Sequence, residues 1–253
     1  MLINMNGMRL FYERRGHGTP LVLIHGYPLD HTIWGLIVPL LENDFELILP
    51  DLRGFGESGL SGNDYRLTDL AADMVAVLDD LKIEKAAIVG HSMGGYLALA
   101  FAHAYPKRMS GLGLVSSQAL ADPPDRKAAR YQEAEHALVH GVKDIADSIS
   151  VKLTGNIPLQ ASLKELILRQ RPEGLAGALR AMAERPDSTP FLREFDFPVV
   201  IIHGLADGMI PIERARAVRA AVKTGTLTEI EGAGHMPMME APVQTAEALK
   251  TLL

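Results

Sequence analysis

The chain has 253 residues, of which 47% are hydrophobic and 22% charged, and its formal net charge at pH 7 is -6. These values are typical of an ordinary globular protein, and the length suits one large α/β domain or a domain with an insertion. The negative balance gives no basic surface for nucleic acid, and the lack of cysteine excludes disulfides, zinc–thiolate sites and thiol catalysis.

The N-terminus and the hydropathy of the chain bear on its location. Residues 1–7 contain no basic start followed by a long apolar core, so no secretory signal is evident. No apolar run approaches the ~18 residues that a membrane span needs. We therefore expect a cytoplasmic protein without a membrane span.

In the first half of the chain, short apolar runs between turn residues predict buried strands. The predicted strands are residues 2–5, 8–14, 21–24, 46–49 and 86–89. The first two are joined at Asn6-Gly7, a strong hairpin signal. Helical spacing predicts a helix over residues 32–42, with Pro39 at a kink or at its start. A second helix is predicted over residues 67–81, with Thr68 as a candidate N-cap.

In the second half, the pattern of apolar residues changes after a predicted strand at residues 111–115. Residues 118–197 have no strand pattern, and four helical segments are predicted there, at 125–140, 142–153, 159–170 and 174–183. Strands return at 198–202 and 226–230, with helices at 212–221 and 244–252. The alternation predicts an α/β fold with a mostly parallel central sheet and helices on both faces. Residues 1–117 and 198–253 would form the core, and residues 118–197 a helical cap insertion.

The G-x-S-x-G motif of residues 90–94 follows a predicted strand and precedes a helical run rich in Ala and Leu. This arrangement is the nucleophile elbow, a turn sharp enough to expose the Ser92 hydroxyl above the sheet. We expect a strained backbone at Ser92. Side chains at Gly90 and Gly94 would collide in such a turn, and Gly95 would let the helix lie close to the strand.

A serine hydroxyl needs a base within hydrogen-bond reach, and that base needs an orienting group. Ser92, Asp207 and His235 each follow the C-terminal end of a predicted strand, where the reactive groups of parallel sheets lie. Taken alone, His235 could be a loop histidine and Asp207 a turn or cap residue. Their order along the chain favours a triad of nucleophile, orienting acid and base.

The remaining histidines are weaker candidates. His25 and His91 are expected to be packed or hydrogen-bonded rather than proton carriers, since neither has the required pairing. The histidines without any partner pattern are His31, His103, His136 and His140.

A tetrahedral intermediate needs two donors for its oxyanion. The backbone N–H of Met93, directly after the nucleophile, is one candidate, and the backbone N–H of Tyr27 is the other. Pro28 cannot donate, which narrows the choice in that loop. Trp34 and His91 are candidates for the wall of the substrate pocket.

Five segments carry a resemblance to the α/β-hydrolase superfamily, and together they cover nearly the whole chain. They are HGYP at 25–28, DLRGFGES at 51–58, GHSMGG at 90–95, GLADGMIP at 204–211 and GAGHMPMME at 232–240. Within the superfamily the chain most resembles capped serine esterases, lactonases and cofactor-free haloperoxidase-like perhydrolases. Ser92 stands where epoxide- or halide-processing relatives carry aspartate, which disfavours those activities. The 51–58 loop is interpreted as a structural turn.

The residues and the resemblance together predict a serine hydrolase of small-to-medium carboxylic esters or lactones, acting through an acyl-enzyme on Ser92. No metal or organic cofactor is expected, and the partner would be a small-molecule substrate. Acyl transfer, perhydrolysis or carbon–carbon bond hydrolysis by the same triad stay open. A ligand receptor or scaffold with slow turnover is the alternative from another class.

Overall fold

A computed structural model describes residues 1–5, 7–62 and 64–253, so the predicted Asn6-Gly7 turn falls partly outside the described residues. Within the described residues, eight strands form one sheet in the order β1-β2-β4-β3-β5-β6-β7-β8. The strands are β1 (Leu2–Met5), β2 (Met8–Gly16), β3 (Thr19–Ile24), β4 (Phe45–Pro50), β5 (Ala86–His91), β6 (Met109–Val115), β7 (Val199–Gly204) and β8 (Gly225–Ile230). Strand β2 pairs antiparallel with β1 and β4, and the other neighbours are parallel. The predicted, mostly parallel sheet is confirmed.

Ten α-helices are assigned in the described part of the chain. They are α1 (Val38–Leu41), α2 (Leu67–Asp80), α3 (Met93–Ala104), α4 (Pro124–His140), α5 (Lys143–Leu153), α6 (Ile157–Leu168), α7 (Pro172–Ala183), α8 (Ile212–Ala221), α9 (Pro237–Glu240) and α10 (Pro242–Lys250). None of the described helices is long and apolar enough to cross a membrane.

Alternating residues of the central strands serve two cores, one on each face of the sheet. Val22 and Ile24 of β3 pack into the core that α2 and α3 cover. Leu21 and Leu23 point the other way, into the core that α1 and α10 cover. Because both faces are buried, the parallel strands are continuous apolar runs rather than alternating ones.

The predicted helix over residues 32–42 is wrong as a single element. The structure has a 3-10 turn at His31–Trp34 and then the short helix α1, with Pro39 in its first turn. Proline lacks the N–H that would continue a helix through this point, but it fits a first turn.

The N-cap predicted at Thr68 is also wrong. Helix α2 begins at Leu67, and Arg66 occupies the N-cap position. The Asp69 carboxylate accepts the Arg66 N–H at 2.7 Å. An acidic side chain in the first turn therefore satisfies the N–H of the N-cap residue itself.

Four helices, α4 to α7, lie between β6 and β7, together with a 3-10 turn at Thr189–Glu194. Helix α4 packs against α7, and α5 packs against α6. No strand occurs among residues 118–197. The division into a core and a separate cap stays a prediction.

Candidate active site

The elbow is held in a strained backbone conformation by its neighbours. Ser92 lies between β5 and α3 with φ of 50° and ψ of -112°, a region that residues with a Cβ seldom adopt. Its N–H donates to the Val115 carbonyl at 2.9 Å, and its carbonyl accepts from Ser117 Oγ at 2.8 Å. Both anchors come from the end of β6, so the adjacent strand fixes the turn from outside.

The three elbow glycines are sterically required. A Cβ at Gly90 would overlap the Gly94 carbonyl, and one at Gly95 would overlap the Ser117 hydroxyl. A Cβ at Gly94 would lie 2.5 Å from the Ile24 carbonyl oxygen. The predicted collisions at Gly90 and Gly94 are confirmed, and so is the close approach of helix and strand at Gly95.

Asp207 and His235 are brought together by the loops that follow β7 and β8. His235 Nδ1 lies 2.7 Å from Asp207 Oδ2, and both side chains are only 1% exposed. A carboxylate accepts, so Nδ1 carries the proton and Nε2 keeps its lone pair. Among the described residues, the buried Nε2 has no hydrogen-bond partner. This arrangement leaves Nε2 free to act as a base.

The Asp207 carboxylate is held in its ionised form. Its Oδ1 accepts the N–H groups of Met209 at 2.8 Å and Ile210 at 3.0 Å. Burial works to raise the pKa of Asp207, but the hydrogen bond and charge of His235 and these two backbone donors outweigh it and lower that pKa. Asp207 is therefore ready to orient an imidazole and to stabilise its protonated form.

His203, to which the sequence analysis gave no role, lies behind the acid. Its Nε2 is 2.8 Å from the Ile210 carbonyl and 3.4 Å from Asp207 Oδ2. Since both neighbours only accept, Nε2 must carry the proton. Burial lowers the pKa of His203, which keeps the ring neutral. His203 thus ties the Asp207 turn back to β7.

His91 and His25 are fully buried and hydrogen-bonded, as expected. His91 Nε2 lies 2.8 Å from the His235 carbonyl, to which it donates. Burial, with the nearby His235 charge, lowers the pKa of His91 to about 3, so the ring stays neutral. His25 Nε2 accepts the Leu52 N–H at 3.0 Å. Both histidines support loops at the strand ends.

The two predicted oxyanion donors lie at loop and helix termini. Met93 is the first residue of α3, where backbone N–H groups have no partner within the helix. Tyr27 follows the end of β3 by three residues, in the loop before the His31–Trp34 turn. Within the described residues, neither N–H has a hydrogen-bond acceptor. Their role as an oxyanion hole stays a prediction.

A cleft of about 500 Å³ opens beside Tyr27 and Met209. Its far wall comes from α4 and α5 and includes Ile145, Ile149 and several charged side chains. The charged or titratable lining residues are Arg126, Glu133, His136, Asp144 and Lys152. The wall that this segment gives the cleft is therefore mixed, with apolar and charged side chains.

Trp34 and His91 have no exposed surface. Trp34 is packed in the core covered by α1 and α10, and His91 contacts His235 with ring centroids 4.9 Å apart. In this conformation neither side chain borders open space, so a part in the pocket wall stays a prediction.

A second histidine–carboxylate pair lies at the 51–58 loop. His31, which has no partner pattern in the sequence, places Nδ1 2.7 Å from Asp51 Oδ1. Ligand atoms of Asp30, His31 and Asp51 lie within 4.8 Å of one another, close enough for a metal ion. Their oxygens already accept donors of the chain, including the Glu57 N–H on Asp51 and the Gln170 amide on Asp30. This group therefore forms a structural network, which agrees with a structural turn at 51–58.

The chain is similar to known proteins over most of its length. The family model described as the alpha/beta hydrolase fold matches residues 19–242. The structure of a thermophilic esterase from Thermogutta terrifontis is similar, with a TM-score of 0.94 and 34% identity over 99% of this chain and 95% of that one. A pimeloyl-acyl-carrier-protein methyl ester esterase from Edwardsiella ictaluri is 30% identical over 95% of each chain. The enol-lactonase from Burkholderia xenovorans shares the fold, with a TM-score of 0.91 and 22% identity over 100% of this chain and 99% of that one.

Proposed function

The chain belongs to the α/β-hydrolase family, and from that premise we propose that it is a serine hydrolase cleaving small-to-medium carboxylic esters or lactones. One observation carries the proposal: the buried 2.7 Å contact between His235 Nδ1 and Asp207 leaves Nε2 unpaired, in a protein whose Ser92 occupies a strained elbow. These are the parts of a nucleophile–base–acid relay, presented at the C-terminal ends of β5, β7 and β8.

In the proposed reaction, His235 Nε2 takes the Ser92 hydroxyl proton while Oγ attacks the substrate carbonyl carbon. The N–H groups of Met93 and Tyr27 would stabilise the oxyanion that forms, and removal of one such donor typically costs on the order of 10²–10³ in rate. His235 then gives its proton to the leaving alcohol, and the acyl group stays on Ser92. His235 then takes a proton from water, whose oxygen attacks the acyl carbon; as the bond to Ser92 Oγ breaks, His235 returns that proton to Oγ, and the acid and free serine are released. Asp207 stays ionised throughout, stabilising the imidazolium.

The relatives and the cleft support the proposed substrate class. The similar proteins named above are esterases and an enol-lactonase. The cleft beside Tyr27 and Met209 has room for a substrate of small-to-medium size. Helices α4 and α5 form its far wall, so we propose that residues 118–197 act as the cap that selects the substrate.

The test is covalent labelling with a fluorophosphonate, read by peptide mass spectrometry, alongside hydrolysis of short and medium p-nitrophenyl esters. Wild type, Ser92→Ala and the matched control Ser162→Ala, on the surface of α6, are compared. We expect the label on Ser92 and loss of both label and turnover in Ser92→Ala alone.

Other outcomes point elsewhere. A folded wild type that leaves Ser92 unlabelled contradicts the proposal and favours a receptor or scaffold. If Ser92 is labelled and the acyl group passes to added alcohol or peroxide rather than to water, the reaction is acyl transfer or perhydrolysis. Turnover of vinylogous diketones but not esters identifies carbon–carbon bond hydrolysis.

A further inference from the structure

The loop that carries His235 is fastened by three consecutive backbone N–H groups. Gly234 and Met236 donate to the same oxygen, Glu240 Oε2, at 2.9 Å and 3.1 Å. His235 itself donates to the Leu153 carbonyl at 3.0 Å. One carboxylate thus holds the chain on both sides of the histidine, while the last carbonyl of α5 holds the residue between.

The second oxygen of this carboxylate reaches the helices between β6 and β7. The Thr154 hydroxyl donates to Glu240 Oε1 at 2.5 Å, and Thr154 is only 3% exposed. The Asn156 N–H in turn donates to Thr154 Oγ1 at 3.1 Å, at the N-cap of α6. Glu240 therefore links the His235 loop to the junction between α5 and α6.

With these bonds, every polar atom of His235 except Nε2 is fixed. Its carbonyl is held by His91 and its Nδ1 by Asp207. Glu240 accepts two of the hydrogen bonds that anchor this loop, and neither of them involves the imidazole. A displacement of about 1 Å in a reacting group can lower a rate by roughly 10²-fold, so the anchor of this backbone bears directly on proton transfer.

We propose that Glu240 is a positioning residue for the reaction: it sets the place of His235 through the flanking peptides and couples that place to the α5–α6 junction through Thr154. This inference rests on the proposed function. It assigns Glu240 no contact with substrate, and it predicts an effect on kcat rather than on KM.

The test compares Glu240→Ala, Glu240→Gln and the control Glu247→Gln, an exposed glutamate of α10 that pairs with Lys250. Activity is expressed per fluorophosphonate-reactive site, so that misfolded molecules are not counted. For Glu240→Ala we expect kcat per reactive site to fall roughly 10²-fold, with KM in the same order of magnitude. Glu240→Gln should keep kcat near wild type, because its carboxamide oxygen can accept both loop N–H groups and the Thr154 hydroxyl can accept from its NH₂.

A merely structural role would lower the melting temperature and the reactive fraction but leave kcat per reactive site unchanged in Glu240→Ala; that result overturns the proposal. If Glu240→Ala does not fold, Thr154→Val removes the second anchor while keeping both loop bonds. A lower kcat in Thr154→Val that Thr154→Ser restores supports the proposal, and an unchanged kcat contradicts the coupling. Turnover that survives in Ser92→Ala would instead refute the serine mechanism itself, so the two failures are distinguishable.

Discussion

Replacing Asp207 by asparagine tests the proposed mechanism at a single atom. The substitution keeps size and shape, and the orientation of the new carboxamide is dictated by its surroundings. Oδ1 accepts the N–H groups of Met209 and Ile210 at 2.8 Å and 3.0 Å. Turning the NH₂ toward them would set donors against donors, so the carboxamide oxygen stays there and the NH₂ faces His235.

The NH₂ would then donate to His235 Nδ1 at the present 2.7 Å contact. This reverses the tautomer: Nδ1 becomes the acceptor, and the proton moves to Nε2, which can no longer take the Ser92 proton. Loss of the correct tautomer in such a relay lowers kcat by up to about 10⁴-fold. A fall of 10³–10⁴-fold corresponds to roughly 4 to 5.5 kcal/mol of transition-state stabilisation.

The assay is steady-state hydrolysis of a p-nitrophenyl ester, with circular dichroism and thermal unfolding as checks on the fold. Asp196→Asn, at an exposed aspartate that pairs with Lys223, is the matched control and should lose little activity. An Asp207→Asn enzyme within tenfold of wild type would refute the reasoning, because it would mean that another group orients the base.

Three further predictions concern stability and the oxyanion site. Gly94→Ala places a Cβ against two backbone carbonyls. Overpacking of this kind costs about 1–3 kcal/mol, so the melting temperature should fall by several degrees. Gly208→Ala, whose Cβ would have no atom within 4 Å, should leave the melting temperature unchanged. Burial lowers the pKa of His31, but the hydrogen bond and charge of Asp51 outweigh burial, so the net shift of this pKa is upward. The His31–Asp51 pair therefore stabilises the fold fully below the unfolded pKa of about 6.5, and this stabilisation is lost as pH rises through the folded pKa. Thermal scans from about pH 6 to about pH 9 should show a larger fall for wild type than for His31→Gln, and equal falls would contradict this. Tyr27→Phe should keep kcat in the same order of magnitude in ester hydrolysis, because the proposed oxyanion donor is the backbone N–H; a loss of 10²-fold or more would assign the role to the phenol.

The sheet was predictable because its central strands are buried on both faces. Continuous apolar runs such as 21–24 and 199–202 have few alternative structures when glycine-rich loops follow them. One error arose where two local signals compete, and one helix was missed because its signal is too short. Thr68 is a residue type that often caps helices, but here Arg66 is the N-cap residue and its N–H donates to the carboxylate of Asp69. The short helix α9 carries too few residues for a periodic signal.

The contact between Asp207 and His235 was also predictable, because loops at the C-terminal ends of parallel strands bring residues together whatever their separation in the chain. The mixed wall of the cleft was not. Arg126 and Glu133 have the helical spacing and polarity of an ordinary solvated face, and their ion pair of 2.7 Å would be unexceptional on any surface. Only the packing of α4 and α5 over the strand ends turns that face toward the cleft.

Two contacts that support the His235 loop were hidden for a different reason: they join residues that no local pattern relates. His91 and His235 are 144 residues apart, and Thr154 and Glu240 are 86 apart. Two parts of the same helical segment consequently have separable effects. If the proposed function holds, we expect changes on the cleft wall of α4 and α5 to act mainly on substrate binding. The junction at Leu153 and Thr154 contacts the histidine loop, so we expect changes there to act on the chemical step. The hydrogen bond between Thr154 and Glu240 thereby joins the segment proposed to select the substrate to the loop of the proposed base, so we expect changes at this junction, unlike those on the cleft wall, to affect catalysis.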